Sequence, residues 1–173
     1  MSLQALYDRR SVTDSLWSDF ASGAQIHNDT LKSSITSSWQ RSSAYLDAKQ
    51  PSAPADDSQL IAHRWRQSAL KDATAHEGQA MSQLVDDGRL VAAIADTNGQ
   101  LLWTASSHYM RDRAESVNFM PGARWDEKSA GTNAVGLALS EQRAVTVFSS
   151  EHYLSSVHDC VCYAAPIIHP QTN

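Results

Sequence analysis

The residues best able to do chemistry lie in the run G-T-N, from Gly131 to Asn133. Thr132 or Ser129 can cap the helix that begins near Asn133, which leaves backbone N–H groups and the positive end of the helix dipole to meet an anionic or carbonyl-bearing ligand. Gly131 allows another group to approach the backbone closely. A purely structural role fits the same residues, because most capped helices bind nothing.

The cysteines and two histidines form a second cluster. Cys160 and Cys162 are close neighbours in the sequence, and on a strand both side chains would point to one face, so they are a poor disulfide framework. His152 and His158 precede them, which makes this the place to look for a zinc or redox site. Surface histidines beside buried, reduced thiols are the more ordinary interpretation.

Motifs for catalysis or cofactor binding are absent from the sequence. It contains no G-x-S-x-G, no phosphate-binding P-loop, no G-x-G-x-x-G after a strand and no H-E-x-x-H. The sequence therefore predicts no catalytic residue, no metal and no cofactor, and it favours a binding domain over an enzyme.

Composition excludes two further classes. The net charge of -5, from 14 Lys+Arg against 19 Asp+Glu, leaves no basic face with which this chain could bind nucleic acid. No apolar run approaches the roughly 20 residues that cross a bilayer, and the N-terminus lacks the apolar core of a signal peptide. We therefore expect a cytoplasmic protein that does not enter a membrane.

The N-terminal part reads as helices. Val12, Leu16 and Phe20 fall at helical spacing, with Ser11 as the predicted N-cap and Gly23 as the end of the helix. A second helix is predicted from about Asp29 to Leu46, capped by Asn28 or Asp29. These two amphipathic stripes predict a homodimer, unless the core of the same chain covers both. The apolar face of the second helix is Leu31, Ile35, Trp39, Ser42 and Leu46.

The middle of the chain changes from helix to strand. Residues 50–58 are rich in Pro, Ser and Asp, which predicts a linker, and Ser58 is the predicted cap of a helix that continues to about Asp86 with a kink at Gly78. The turn signal Asn98-Gly99 between two apolar runs then predicts a hairpin.

The last third alternates short helices and strands. Residues 131–142 are predicted as a helix, 144–148 as a strand, 150–158 as a helical turn and 160–168 as a strand. Paired strands with short helices, after long N-terminal helices, indicate an α+β domain built on an antiparallel sheet. The final HPQTN has turn chemistry, which predicts a further strand that the sequence does not reach.

Four segments together resemble a known family. They are I-T-S-S-W-Q-R-S at 35–42, W-D-E-K-S-A-G-T-N-A-V-G-L-A-L from Trp125, V-T-V-F-S-S-E-H-Y from Val145 and C-Y-A-A-P-I from Cys162. In this order they resemble the GAF sensor domain at the N-terminus of sigma-54-dependent activators of the acetoin catabolism and dihydroxyacetone regulator type. The matches extend over most of the chain.

The resemblance implies a fold and a role. GAF domains have a central antiparallel sheet of about six strands flanked by helices. In this family the domain senses a metabolite or a partner protein and controls an AAA+ ATPase and a DNA-binding module, both absent from this chain. By this resemblance, residues 1–50 are an N-terminal helical extension, 51–57 a linker and 58–173 a GAF-like sensor domain that lacks its last strand and helix.

The resemblance also selects candidate residues. It matches Glu127, Gly131 and Ala134 beside the Thr-Asn pair, and the Glu151-His152 pair. Cys160 departs from the family, which often has an aromatic residue at that position. A compact neutral or acidic metabolite would suit a pocket with aromatic walls and a few polar groups. The predicted ligand-binding residues are Trp125, Thr132, Asn133, Phe148, Cys162 and Tyr163.

Two alternatives stay open at this point. The chain could be a protein-interaction or dimerisation module that binds no small molecule, with its N-terminal helices as the contact surface. It could also be a cysteine-based redox enzyme, since some GAF domains reduce free methionine sulfoxide. The second alternative needs an accessible thiol with a resolving partner, a poor match to two cysteines on one strand.

Overall fold

The computed structural model describes residues 2–26, 30–86 and 88–168. The chain divides into two compact units, one of Met1–Gln50 with Asp126–Asn173 and the other of Pro51–Trp125. Helices and small antiparallel sheets make up the secondary structure. In chain order the helices are α1 (Leu3–Ala21), α2 (Ser33–Ser42), α3 (Ser58–Gln67), α4 (Ala69–Ala73), α5 (Ala75–Asp86), α6 (Arg111–Ser116), α7 (Glu127–Ala130) and α8 (Ala134–Glu141), and the strands are β1 (Val91–Ala95), β2 (Leu101–Ser106), β3 (Val145–Phe148) and β4 (Val161–Ala164).

Helix α1 begins earlier than the sequence predicts. The hydroxyl of Ser2 accepts a hydrogen bond from the backbone of Ala5 and caps the helix, so Ser11 lies inside it and the predicted cap is wrong. Gly23, with φ +89°, follows the end of the helix as expected. The buried face is centred on Thr13, which is 1% exposed, while Val12 is 40% exposed. Of the predicted stripe, Val12 lies outside this face, whereas Leu16 and Phe20 are half-buried.

Helix α2 is shorter than predicted. Its N-cap is Lys32, which makes no side-chain capping bond, and the predicted caps Asn28 and Asp29 lie outside the described residues. The helix ends at Ser42 and is followed by a turn, so it does not reach the predicted end at Leu46. The face of the helix is confirmed at its centre. Its buried residues are Ile35, Ser38, Trp39 and Ser42.

The segment predicted as one helix from Ser58 to about Asp86 forms three helices in the structure. Ser68 has an extended backbone (ψ 130°) that ends α3, and its hydroxyl caps α4 by accepting from the backbone of Leu70. A second break occurs at Thr74. Gly78, the predicted kink, lies inside α5, since one glycine costs a helix only about 1 kcal/mol. The N-cap of α3 is Asp57, whose carboxylate accepts from the backbone of Gln59, so the prediction of Ser58 was wrong by one position.

The hairpin of the second unit is confirmed. Strands β1 and β2 pair antiparallel, with Val91 opposite Ser106 and a register shift between Ile94 and Ala95. Gly99 has φ +76° in the turn, a conformation that glycine adopts without steric cost. Helices α3 and α5 pack against β2. The buried apolar residues of this unit include Ile61, Val85, Ile94, Leu101, Leu102 and Ala123.

Strands β3 and β4 pair antiparallel in the first unit. Val147 lies opposite Cys162 and Thr146 opposite Tyr163, so Cys162 and Tyr163 project from opposite faces. Helix α8 packs against both strands. Strand β4 ends at Ala164, before the proline at 166, and is shorter than the predicted 160–168.

The described part of the chain has fewer strands than the expected six. Four strands form two separate pairs. Two more antiparallel contacts, Ala55 with Ala123 and Gln100 with Arg124, are single bridges. Proline at positions 54 and 121, next to these segments, cannot donate to a ladder and keeps such pairings short.

Candidate functional site

The Gly-Thr-Asn corner (residues 131–133) connects α7 to α8. Gly131 has φ +65°, and a Cβ added to it would lie 2.5 Å from Cβ of Tyr153, so only glycine fits. Asn133 is the N-cap of α8: its Oδ1 accepts from the backbone of Gly136 at 3.0 Å, and its Nδ2 donates to the Gly131 carbonyl at 2.7 Å. The predicted caps, Thr132 and Ser129, were therefore wrong, and the Asn133 amide already bonds the protein on both sides.

Thr132 fixes helix α2 to this corner. Its side chain is buried, and its hydroxyl donates to Oγ of Ser38 at 2.7 Å. Oγ of Ser42 lies 3.4 Å away on the next turn of the same helix. The carbonyl of Thr132 accepts from the backbone of Tyr153 at 3.0 Å. The corner is thus held on one side by α2 and on the other by the segment that follows β3.

Glu127 makes a second connection to α2. Its Oε1 accepts from Nε of Arg41 at 2.5 Å, and its Oε2 accepts from Nη2 of Arg41 at 2.8 Å and from Oγ of Ser38 at 3.0 Å. This bidentate geometry is the strong form of a carboxylate–guanidinium pair. The hydrogen bond to Glu127 raises the pKa of Arg41 above its usual value.

Glu151 connects three elements to one another. Its carboxylate is 3% exposed, and it accepts from Nη2 of Arg9 at 2.6 Å and from the backbone of Phe148 at 2.8 Å. Its carbonyl accepts from Nε1 of Trp39 at 2.8 Å. A carboxylate this deeply buried requires such partners, because an unpaired buried charge costs several kcal/mol. The residue therefore holds α1 and α2 against β3.

His152 is buried without a charge. Desolvation lowers its pKa to about 4, although the hydrogen bond to the Ser149 carbonyl acts in the opposite direction. Nδ1 lies 2.8 Å from that carbonyl oxygen, so the neutral tautomer carries its proton on Nδ1 and donates it. Nε2 is buried and has no hydrogen-bond partner among the residues that the structure describes.

The remaining predicted ligand residues differ in their surroundings. Phe148 is 9% exposed, with the guanidinium carbon of Arg9 4.6 Å from its ring centroid. Cys162 is partly buried, and burial raises the pKa of its thiol to about 12. Tyr163 is 78% exposed. In the other unit, Trp125 is buried.

Trp125 packs inside the second unit. Its indole N–H donates to the carbonyl of Asn118 at 3.2 Å, and its ring meets Phe119 edge to face with centroids 5.1 Å apart. Asn118 adopts φ +57°, a region in which asparagine is enriched. The indole nitrogen therefore already has a protein partner.

A cleft of about 670 Å³ opens beside the corner, and sequence reasoning missed it. We name it the α2–α7 cleft. None of the predicted ligand residues lines it. Arg41 and Glu127 belong to the motifs described above, but their meeting depends on tertiary contacts that the sequence does not state. The lining residues are Ser34, Arg41, Ala44, Tyr45, Glu127, Lys128, Ser140 and Glu141.

The described residues contain neither a metal-binding cluster nor a membrane-spanning helix. In residues 2–26, 30–86 and 88–168, no group of three or more His, Cys, Asp and Glu side chains is arranged to hold a metal ion. The cluster of His152, His158 and the two cysteines accordingly forms no metal centre. Among the described helices, none combines the length and the apolar character that a bilayer span requires.

Comparison with known proteins identifies the family. The model of the MimR N-terminal domain matches residues 12–173. The chain belongs to the MimR N-terminal domain family. Over 155 residues it is 26% identical to the propane 2-monooxygenase operon transcriptional activator MimR of Mycolicibacterium smegmatis. The aligned region covers 88% of this chain and 26% of that protein.

A second relative is also a transcriptional activator. The chain is 35% identical over 85 residues to the acetoin dehydrogenase operon transcriptional activator AcoR of Bacillus subtilis, covering 49% of the chain and 14% of AcoR. This confirms the resemblance to the acetoin-type activators. The chain thus spans about a quarter or less of the length of these relatives.

A solved structure confirms the fold. The crystal structure of the E. coli DhaR(N)–DhaL complex matches with a TM-score of 0.70 and 19% identity, over 81% of this chain and 48% of that one. At this identity the match establishes the α+β fold alone. The chain is therefore an N-terminal domain of the MimR family with an α+β, GAF-like fold.

Proposed function

We propose that this chain is the signal-sensing domain of a bacterial sigma-54-dependent transcriptional activator, and that it binds a small metabolite in the cytoplasm. Binding would control an AAA+ ATPase and a DNA-binding module elsewhere in the full-length protein. The observation that carries the proposal is the match of the MimR N-terminal domain to residues 12–173. The named relatives activate operons for acetoin dehydrogenase and propane 2-monooxygenase, enzymes of small carbon compounds.

The contacts of Glu151 and Thr132 support a signalling role. A sensor must pass a change at one place to another element of the fold, and such coupling travels through packed and hydrogen-bonded groups with defined arrangements. Glu151 bonds Arg9 of α1 and Trp39 of α2, while Thr132 bonds Ser38 of α2. A ligand that moved either residue would move the N-terminal helices.

The predicted ligand residues divide into two roles within this proposal. Thr132 and Asn133 hold the wall of the site, since their side chains bond other protein groups. Phe148 and Tyr163 lie on one face of the β3–β4 pair and would supply aromatic contact there, while Cys162 projects from the opposite face.

The proposal assigns no catalytic step to this chain. The named relatives are transcriptional activators, and a thiol with a pKa of about 12, as at Cys162, has very little thiolate at neutral pH. Burial is the main cause of this shift. These observations weigh against a cysteine-based redox enzyme.

A second candidate function is recognition of a partner protein without a small ligand. The observation that favours it is the DhaR(N) neighbour, which was crystallised in complex with the protein DhaL. Recognition of a second copy of the chain belongs to the same alternative. Exposed apolar residues on α1, Leu3 at 75% and Tyr7 at 68%, are available for such contacts.

A metabolite screen tests the proposal. The purified chain is first unfolded and refolded to remove any copurified compound, and its melting temperature is then measured against a panel of small alcohols, ketones and carboxylic acids. We expect at least one compound to raise the melting temperature, by mass action on the folded state. No shift with any compound, together with capture of a stable protein partner or a dimer by light scattering, would favour the second candidate.

A further inference from the structure

The α2–α7 cleft has the size of a small-molecule site. Its volume of about 670 Å³ lies within the range of roughly 300–1,000 Å³ that such sites occupy. Helix α2 contributes Arg41, the turn after it contributes Tyr45, and α7 contributes Lys128. All its walls belong to one compact unit.

Each carboxylate that lines the cleft has one cationic partner within the protein. Glu127 accepts three hydrogen bonds, two from Arg41 and one from Ser38. Glu141 is 19% exposed in its side chain and pairs with Arg143. The charge of Glu127 is balanced by Arg41 itself, and Oε2 of Glu141 is buried and, apart from its ion pair with Arg143, has no hydrogen-bond partner among the described residues.

The donors in the cleft are only partly used. Arg41 bonds Glu127 through Nε and Nη2, so its Nη1 group remains available, and its side chain is 53% exposed. Within the described ranges, the ammonium of Lys128 and the hydroxyl of Tyr45 have no hydrogen bond or ion pair. Tyr45 is 67% exposed. The cleft thus offers the ammonium of Lys128, Nη1 of Arg41 and the hydroxyl of Tyr45 as donors, beside the carboxylates of Glu127 and Glu141.

We propose that the α2–α7 cleft binds a small organic anion, a carboxylate or a phosphate ester, between Arg41, Lys128 and Tyr45. Hydrogen bonds from cationic donors to such oxygens are shorter and about twice as strong as neutral ones. The methyl group of Ala44, the ring of Tyr45 and the stem of Lys128 provide apolar contact for the carbon part of the ligand. This inference rests on the proposed sensing function, but it assigns the ligand to the α2–α7 cleft and not to the predicted residues around the corner and β3–β4, and it adds a ligand class.

The position of the ligand would also matter for signalling. Arg41 belongs to α2 and Lys128 to α7, and the Arg41–Glu127 pair already connects the two helices. An anion bound by both cations would add a second connection between the same helices. Occupancy of the cleft would therefore stabilise the contact of α2 with the segment that leads into the Gly-Thr-Asn corner.

Titration of the whole 173-residue chain with two probes tests the proposal. Inorganic phosphate and succinate are added separately at constant ionic strength, and binding is followed by backbone amide shifts in NMR spectra. We expect shifts at residues 41–45, 127–128 and 140–141, and Lys128→Ala should weaken binding about tenfold, the loss of one charge-assisted hydrogen bond. Tyr45→Phe keeps the ring and should weaken binding about threefold.

Lys49→Ala is the matched control. It removes a lysine of the same unit that does not line the cleft, and it should leave the affinity unchanged. Binding of phosphate alone would assign the cleft to phosphate esters, and binding of succinate alone to carboxylates. The proposal is overturned if neither probe binds at millimolar concentration, or if Lys128→Ala binds as tightly as the parent chain.

The outcome is separable from that of the metabolite screen. A metabolite that raises the melting temperature of the parent and of Lys128→Ala equally would support the proposed sensing function. It would also show that the metabolite does not bind in the α2–α7 cleft, which would overturn the proposed site. Anion binding that depends on Lys128, without any metabolite response of transcription in the full-length protein, would sustain the cleft and overturn the proposed function.

Discussion

The hydroxyl of Thr132 donates to the hydroxyl of Ser38 across 2.7 Å, although the two residues are 94 positions apart in the chain. Ser38 in turn donates to Glu127 at 3.0 Å. Two sequence motifs that look independent are therefore one hydrogen-bonded structure. Helix α2 is therefore hydrogen-bonded both to the Gly-Thr-Asn corner and to α7.

Ser38→Ala should lower the free energy of unfolding by about 1–3 kcal/mol, because it removes both hydrogen bonds and leaves the buried donor of Thr132 without its main partner. Urea denaturation followed by circular dichroism measures the change. Ser43→Ala is the control on the same chain segment, since Ser43 is exposed and bonds only the Gln40 carbonyl, and it should stay within about 0.5 kcal/mol. Equal effects of both variants would contradict the role of Ser38.

Gly131→Ala should destabilise the fold by more than about 3 kcal/mol or prevent folding. The new Cβ would lie 2.5 Å from Cβ of Tyr153, and φ +65° is strained for alanine. Gly78→Ala is the opposite case: it lies inside α5 with open space around it and should stabilise by about 0.5–1 kcal/mol. Thermal melts of the pair check both signs, and an unchanged melting temperature for Gly131→Ala would show that the corner relaxes.

Arg9→Met should destabilise the domain by about 2–4 kcal/mol, because Glu151 would keep a buried charge without its cation. The double variant Arg9→Met with Glu151→Gln should recover part of this loss, since the amide carries no charge. Arg10→Met is the control: its pair with Asp14, at 3.9 Å, is exposed and worth little. Denaturation curves of the parent chain, the single variants Arg9→Met and Glu151→Gln, the double variant and the control test this, and additive effects of the Arg9 and Glu151 changes would argue against the pair.

Local features of the fold could be read from the sequence, and distant contacts could not. The Asn98-Gly99 turn was predictable because the conformation it needs is a property of those two residues. The break at Ser68 was missed, because serine is also tolerated inside helices and the sequence does not show that its hydroxyl caps α4, whereas Gly78 was given too much weight. The α2–α7 cleft depends on Arg41 meeting Glu127, a contact that no local pattern reveals.

Stability should fall as the pH is lowered from about 7 to 4, partly because of His152. Its pKa is about 4 in the folded protein and about 6.5 when unfolded, so between these values the unfolded state binds more protons. The contribution is complete above the unfolded value, is lost on acidification, and amounts to about 3 kcal/mol. His158, whose pKa burial also lowers, acts in the same direction.

His152→Gln isolates this contribution, because the amide does not titrate in this range. Urea unfolding at several pH values should give a smaller loss of stability between pH 7 and 4 for the variant than for the parent chain. His63→Gln changes a histidine of the other unit and should leave the pH dependence of the parent unaltered. Parallel curves for the parent chain and His152→Gln would refute the assignment.

Cys162 should react with an alkylating agent at least a hundredfold more slowly in the folded protein than in urea. Burial raises its pKa to about 12, from 9.0, and only the thiolate is reactive, so each unit lowers the rate about tenfold. A Cys160→Ser variant leaves Cys162 as the single thiol, and mass spectrometry at pH 7.5 follows its modification. Its unfolded state is the internal control. Rapid native alkylation would restore the redox-enzyme alternative, because that chemistry requires a thiolate that solvent and substrate can reach.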